Sequence, residues 1–193
     1  ARSCRIVQDR AGRRPGGRGS SAQGAGRRRL AMMFFVRFGS AKRESAIRAL
    51  SEDDPSVGVI LAATHFEWMM KRAILKLGVS PTRTLRDRLV RLSSLHAPNK
   101  SDDLERAWKD EVAQYRKKAS LGTVLGQLTS IRNEAIPVRG RLVHGNGTPS
   151  SAEASRALEL FLSAGPKLRG FAVSCGEDLD TDLKRRLKPR IVR

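Results

Sequence analysis

From Val57 to Leu77 apolar residues fall at helical spacing almost all the way round: Val59, Ala62, Ala63, Phe66, Met69, Met70, Ala73, Ile74 and Leu77. A helix that is apolar on nearly every side must be surrounded by other elements. The stretch carries its own punctuation. Asp54 suits an N-cap, Pro55 suits the first helical position, and Gly78 suits the far end. The expected fold is therefore organised around one buried helix.

The rest of the chain repeats this grammar. Ser40 is expected to cap a short helix through Leu50. Ser80-Pro81 opens a helix carrying Leu85, Leu89, Val90, Leu92 and Leu95, which Pro98-Asn99-Lys100 breaks. Ser101 is expected to cap the next, with Asp102 and Asp103 in a first turn where acid suits the dipole. Leu104, Trp108, Val112 and Tyr115 share one face of it. A fourth long segment runs from Leu121 to His144, with a kink or break expected near Ile136 because Pro137 lacks an N–H and crowds the preceding turn. Gly145 ends it.

Pro149-Ser150 with Glu153 reads as a capping box. It opens a helix that should stop at Gly165-Pro166, with a second piece to about Val173 and a short charged helix near residues 178–187. There is no convincing strand alternation and no internal repeat. The expected fold class is all-α: a bundle of about five to six helices over residues 39–176, followed by a basic helix or tail at 177–193.

Charge narrows the partners. The chain has 38 Lys and Arg against 19 Asp and Glu, a formal net charge of +19. Residues 1–30 hold nine Arg and one Asp, so +11 belongs to the remainder. Such a balance favours polyanions, namely RNA, DNA, acidic proteins or anionic lipid. Residues 1–38 form an Arg/Gly-rich segment with too little apolar content to offset ordering entropy, and disorder is expected there. Its functional reading is an RNA-binding arm. The reading that Met32-Met33 favours is a start at that pair, with residues 1–31 being upstream, non-native sequence. Leu30–Val36 imitates the apolar core of a signal peptide, but it is short and Arg37 interrupts it. No run approaches the roughly 18 apolar residues of a membrane helix. Cys4 and Cys175 lack metal-ligand spacing, and a reducing, cytoplasmic compartment is expected.

Chemistry concentrates at Val138-Arg139-Gly140-Arg141-Leu142-Val143-His144-Gly145-Asn146-Gly147. A histidine moves protons near neutral pH, and guanidinium groups hold a phosphate that gains charge. On an ideal helix Arg139 and His144, five apart, do not share a face. Arg141 and His144, three apart, do. Arg141 is thus as good a phosphate ligand as Arg139, and the length of the Arg139 side chain, an irregularity after Pro137 or a second subunit would have to bring Arg139 to the histidine. Arg132, about two turns earlier, extends the basic face. A helix C-terminus stabilises the charged imidazole. The bland alternative is a surface histidine with arginines beside it by chance.

The other candidates carry less. His65 reads as a core or interhelical hydrogen-bonding residue, and Glu67 as the ion-pair partner of Lys71, with a role orienting His144 as its alternative. His96 reads as surface, Trp68 and Trp108 as packing residues, and Lys184–Arg190 as a solvated tail. The three histidines are too scattered to suggest a metal site, and Gly145-Asn146-Gly147 is too short for a phosphate loop.

The Arg139-x4-His144 spacing and the Leu142-Val143-His144-Gly145 ending resemble the R-x4–6-H motif of HEPN-domain ribonucleases. The long helix with Phe66-Glu67 near its middle resembles that family's first core helix. The likeness spans about residues 50–175 and is sharp over 139–145. It implies a helical bundle that homodimerises and cleaves RNA without a metal or cofactor, in toxin–antitoxin or defence biology with an antitoxin partner protein. Arg139 and His144 would be the catalytic pair, with Arg141, Asn146 and Arg132 supporting the RNA phosphate. The family often carries a polar residue, usually Asn, after the arginine. Here Gly140 stands there, which also fits a non-catalytic module binding RNA or an acidic partner.

Overall fold

A computed structural model describes residues 39–92 and 103–191, and among these no strand occurs. The readings of residues 1–38, Leu95, His96, the Pro98 break and the Ser101 cap lie outside the described residues. The helices are α1 (Ser40–Asp53), α2 (Pro55–Leu77), α3 (Thr82–Arg91) and α4 (Leu104–Trp108), the last running into a π-helical turn (Lys109–Ala113). Then come α5 (Leu121–Leu125) and α6 (Leu128–Ser130), the latter continuing through a second π-helical turn (Ile131–Ala135) into α7 (Ile136–His144). The long α8 (Ser151–Ser174) completes the set. Counted as continuous rods, seven lie among the described residues, against the five to six expected.

The central helix is as the spacing requires. All nine apolar residues from Val59 to Leu77 named above are buried on α2. The most extensive packing partner of α2 is α8, which adds Leu158, Leu160, Phe161, Leu162 and Leu168 to the core. Phe66 and Phe161 meet with ring centroids 5.7 Å apart. Trp108 packs on Phe171 at 5.6 Å and donates from Nε1 to the Ala119 carbonyl at 3.1 Å. Among the described residues no helix is long and apolar enough to cross a membrane.

The caps explain most boundaries. The Asp54 carboxylate accepts from the Ser56 and Val57 amides at 2.9 and 3.2 Å. Gly78 ends α2 with φ −60°, so left-handed freedom is not why glycine stands there. Close approach is the reason: a Cβ would lie 2.6 Å from the Ile74 carbonyl oxygen and 2.8 Å from Leu85 Cδ1. Ser40 begins α1 without capping it. Asp180 serves instead, accepting from the Ser40 amide at 2.9 Å and its hydroxyl at 2.8 Å, and the helix reaches Asp53 rather than Leu50.

Four expectations give way. The segment from Leu121 splits at Gly126, whose φ of +69° stops α5. At Pro137 the helix does not break; the wider π-helical turn just before it accommodates the missing N–H, and α7 continues. Pro166 likewise lies inside an unbroken α8, whose long contact with α2 outweighs a proline cost of about 3 kcal/mol. The face that was to hold Tyr115 ends at the first π-helical turn, which shifts register; Tyr115 is 44% exposed while Leu104, Trp108 and Val112 are buried. Val90 on α3 is also exposed.

The largest correction comes at the C-terminal end of the described residues. Residues 177–191 form neither a helix near 178–187 nor a solvated tail, but a non-helical strap bound to α2 and α3. Arg72 donates to the Leu179 and Thr181 carbonyls, both at 2.5 Å, and Lys76 Nζ to Thr181 Oγ1 at 2.8 Å and the Asp182 carbonyl at 2.7 Å. With those groups taken by α2, the strap needs no helical hydrogen bonds of its own. Arg186 then donates to the Leu75 carbonyl at 2.9 Å and the Ser80 carbonyl at 3.2 Å, covering acceptors at the end of α2.

One ionised cluster lies inside the bundle. Arg169 of α8 forks onto Glu44 of α1 with bonds of 2.6 and 2.9 Å, and His65 Nε2 of α2 lies 3.4 Å from the same carboxylate. His65 is thus the interhelical histidine expected. Burial pushes the Glu44 carboxyl up, but the hydrogen bonds from His65 and Arg169 outweigh it and hold it below the usual range. Gly165 makes room: a Cβ there would lie 2.0 Å from Glu44 Oε1. Trp68 stacks on His65 at 6.0 Å and carries the Arg43 guanidinium 4.0 Å over its ring, a packing role.

Candidate functional site

The Arg139–His144 stretch forms α7, and His144 is its last residue. Gly145 stops the helix in the left-handed region at φ +68°, its amide donating to the Arg141 carbonyl. The Asn146 amide donates to the same carbonyl at 3.0 Å. This turn leaves His144 and Asn146 exposed, and neither side chain has a partner among the described residues.

The arginines around it differ. Arg141 is held by Glu153 of α8 at 2.5 Å. Glu153 also closes the expected capping box, accepting from the Ser150 amide at 2.8 Å while Ser150 Oγ accepts from the Glu153 amide at 3.2 Å. The hydrogen bond from Arg141, followed by those from Ser150, holds the Glu153 carboxyl down to about 2. Arg132, on the π-helical turn, pairs with Glu105 of α4. Arg156 pairs with Glu134 at 3.1 Å.

Arg139 is the exception. It is half-buried and makes no ion pair or hydrogen bond among the described residues. It still feels Glu67 of α2. Burial pushes the Glu67 carboxyl above the usual range, while the charges of Lys71 and Arg139 pull against that shift. Glu67 therefore faces both cations without a close pair to either, between the two roles read for it.

Because α7 is regular from Ile136 to His144, the irregularity before Pro137 does not carry Arg139 round to His144. Five residues at roughly 100° each leave them about 140° apart around the axis. Arg141 does share the His144 face, with Glu153 on it. The arginine partners Glu105 and Glu153 escaped sequence reasoning. Only Glu153 had a local signal, as a cap, and nothing local tells which distant carboxylate meets which arginine.

Among the described residues, no group of three or more His, Cys, Asp or Glu is placed to hold a metal ion. No family model matches the chain, and neither a curated protein nor a solved structure matches it.

Proposed function

We propose that the chain is a metal-independent endoribonuclease of HEPN type, working as a homodimer in toxin or defence biology with an antitoxin-like partner protein. His144 takes the proton from a ribose 2′-hydroxyl as it attacks phosphorus, or gives one to the departing 5′-oxygen. The products carry 2′,3′-cyclic phosphate and 5′-hydroxyl ends. Arg139 stabilises the charge that builds on the phosphorane. One observation carries the reading. The exposed His144 at the end of α7 is accompanied by Arg139, which among the described residues is left without an ion pair while Arg132 and Arg141 are neutralised. The angle between the two within one helix favours a cleft lined by two copies, each supplying what the other's α7 turns away.

The test is cleavage of total and synthetic RNA in EDTA. Wild type should cut, and His144→Ala and Arg139→Ala should each lose about 10²-fold or more. Equal cleavage by wild type and His144→Ala would sink the reading. A second reading is a non-catalytic module for RNA or an acidic partner, favoured by the neutralised Arg141 and Arg132 and by the missing side chain at Gly140. It expects steeply salt-dependent binding that His144→Ala leaves unchanged.

A further inference from the structure

Most arginines of this bundle are spent on the fold. Arg88 pairs with Asp110, Arg190 with Glu177, and Arg186 with carbonyls at the end of α2. Three are not. Arg83 and Arg86 on α3 and Arg185 on the strap are exposed and make no ion pair or hydrogen bond among the described residues. They converge on one groove of about 430 Å³, completed by Thr82, Asp87 and Leu183.

The groove is a fixed feature, because its two walls are tied together. The Thr82 amide donates to the Arg186 carbonyl at 3.1 Å, and the Arg186 amide donates to Thr82 Oγ1 at 2.9 Å. Arg186 is anchored beneath, so its neighbour Arg185 is presented beside α3. Arg83 and Arg86, three apart, share a helix face. The walls therefore hold three guanidinium groups against one carboxylate, Asp87. Holding unpaired like charges together repels, and such a set is useful only with an anion between them.

We infer that this groove binds the phosphodiester backbone of a single-stranded nucleic acid. Guanidinium groups match phosphate with two parallel hydrogen bonds each. A protein partner fits less well, since Leu183 is the one apolar side chain among the groove's residues named here and protein interfaces need an apolar or aromatic centre. The groove is separate from the Arg139–His144 region. Arg186 meets α2 at Leu75 and Glu67 faces Arg139, eight residues apart and so roughly 12 Å along the axis. Binding here stands or falls without cleavage.

The experiment is fluorescence anisotropy of the full chain with a labelled, 2′-O-methylated single-stranded oligonucleotide, which cannot be cut by 2′-hydroxyl attack. Its deoxy counterpart should bind comparably. The triple variant Arg83→Gln, Arg86→Gln, Arg185→Gln should bind at least tenfold more weakly near physiological salt. Its plot of log affinity against log salt should be shallower by about 2. A control triple, Lys42→Gln, Lys109→Gln, Lys117→Gln, removes the same charge from exposed positions elsewhere and should change affinity less than twofold. Asp87→Asn should tighten binding severalfold, a gain that misfolding cannot imitate. Equal losses in the two triples, or weaker binding by Asp87→Asn, would overturn the assignment. So would poly-glutamate competing as well as the oligonucleotide at equal charge.

Discussion

The described part of the chain contains two histidines in opposite circumstances. His65, in the middle of α2, is 3% exposed and lies 3.4 Å from a carboxylate that Arg169 holds with two further bonds. His144, at the end of α7, is exposed and has no partner among the described residues. The difference is one of position. A polar group in the middle of a core helix must be satisfied or it destabilises the fold. One at a helix end beside a left-handed glycine can be left to solvent. The first arrangement consumes its charges in holding three helices together, and the second leaves a titratable group available for chemistry.

The sharpest way to break this contrast is to cut each side in turn. Arg169→Ala leaves Glu44 buried against His65 alone, a loss of about 3 kcal/mol. In a chain of this size the melting temperature should fall by roughly 6–12 °C. His144→Ala should shift stability by less than about 0.5 kcal/mol. Acid adds a second readout. The Glu44 carboxyl is held below its ordinary value, so its contribution is present above about pH 4.3 and disappears as pH falls through the lowered value. Wild type should lose stability over that interval, and Arg169→Ala should lose less. Equal melting shifts for Arg169→Ala and His144→Ala would refute the division.

Gly165→Ala presses on the same cluster without removing a charge. The new methyl would start 2.0 Å from Glu44 Oε1, and the carboxylate cannot swing aside without giving up Arg169. Alanine is better than glycine in a helix by about 1 kcal/mol, while displacing the pair costs more, so a net loss of about 1–2 kcal/mol is expected. A thermal melt in which Gly165→Ala proves more stable than wild type would mean that the carboxylate relocates freely.

What the sequence makes legible follows from how local each determinant is. Asp54-Pro55, the Ser150–Glu153 box and Gly145 each act within a few residues, and each is found in place. The buried face of α2 repeats over six turns and is equally plain. The strap at 177–191 was invisible because donors more than 100 residues earlier, Arg72 and Lys76, decide its path. The π-helical turns escaped because a one-residue insertion in a ladder has no compositional mark, and with them went the face of Tyr115. At the candidate site Arg139, Arg141 and His144 were visible as residues. Their availability was not, since carboxylates from other helices decide it: Glu153 takes Arg141, as Glu105 takes Arg132.

Gly140 offers the smallest effect and the cleanest separation of stability from activity. Glycine in a helix interior costs about 0.5–1 kcal/mol against alanine. A Cβ at this position would meet nothing within 4 Å, and the backbone is helical. Gly140→Ala should therefore raise the melting temperature by about 2 °C, with RNA cleavage unchanged. Gly140→Asn gains less in propensity but supplies the polar side chain that the proposed HEPN-type reading expects after the arginine. If the exposed His144 side of the comparison is a working site, Gly140→Asn should increase cleavage while Gly140→Ala does not. Gains of equal size in both would trace the effect to helix stability. No gain in either, with His144→Ala as active as wild type, would move the molecule to the binding-module reading.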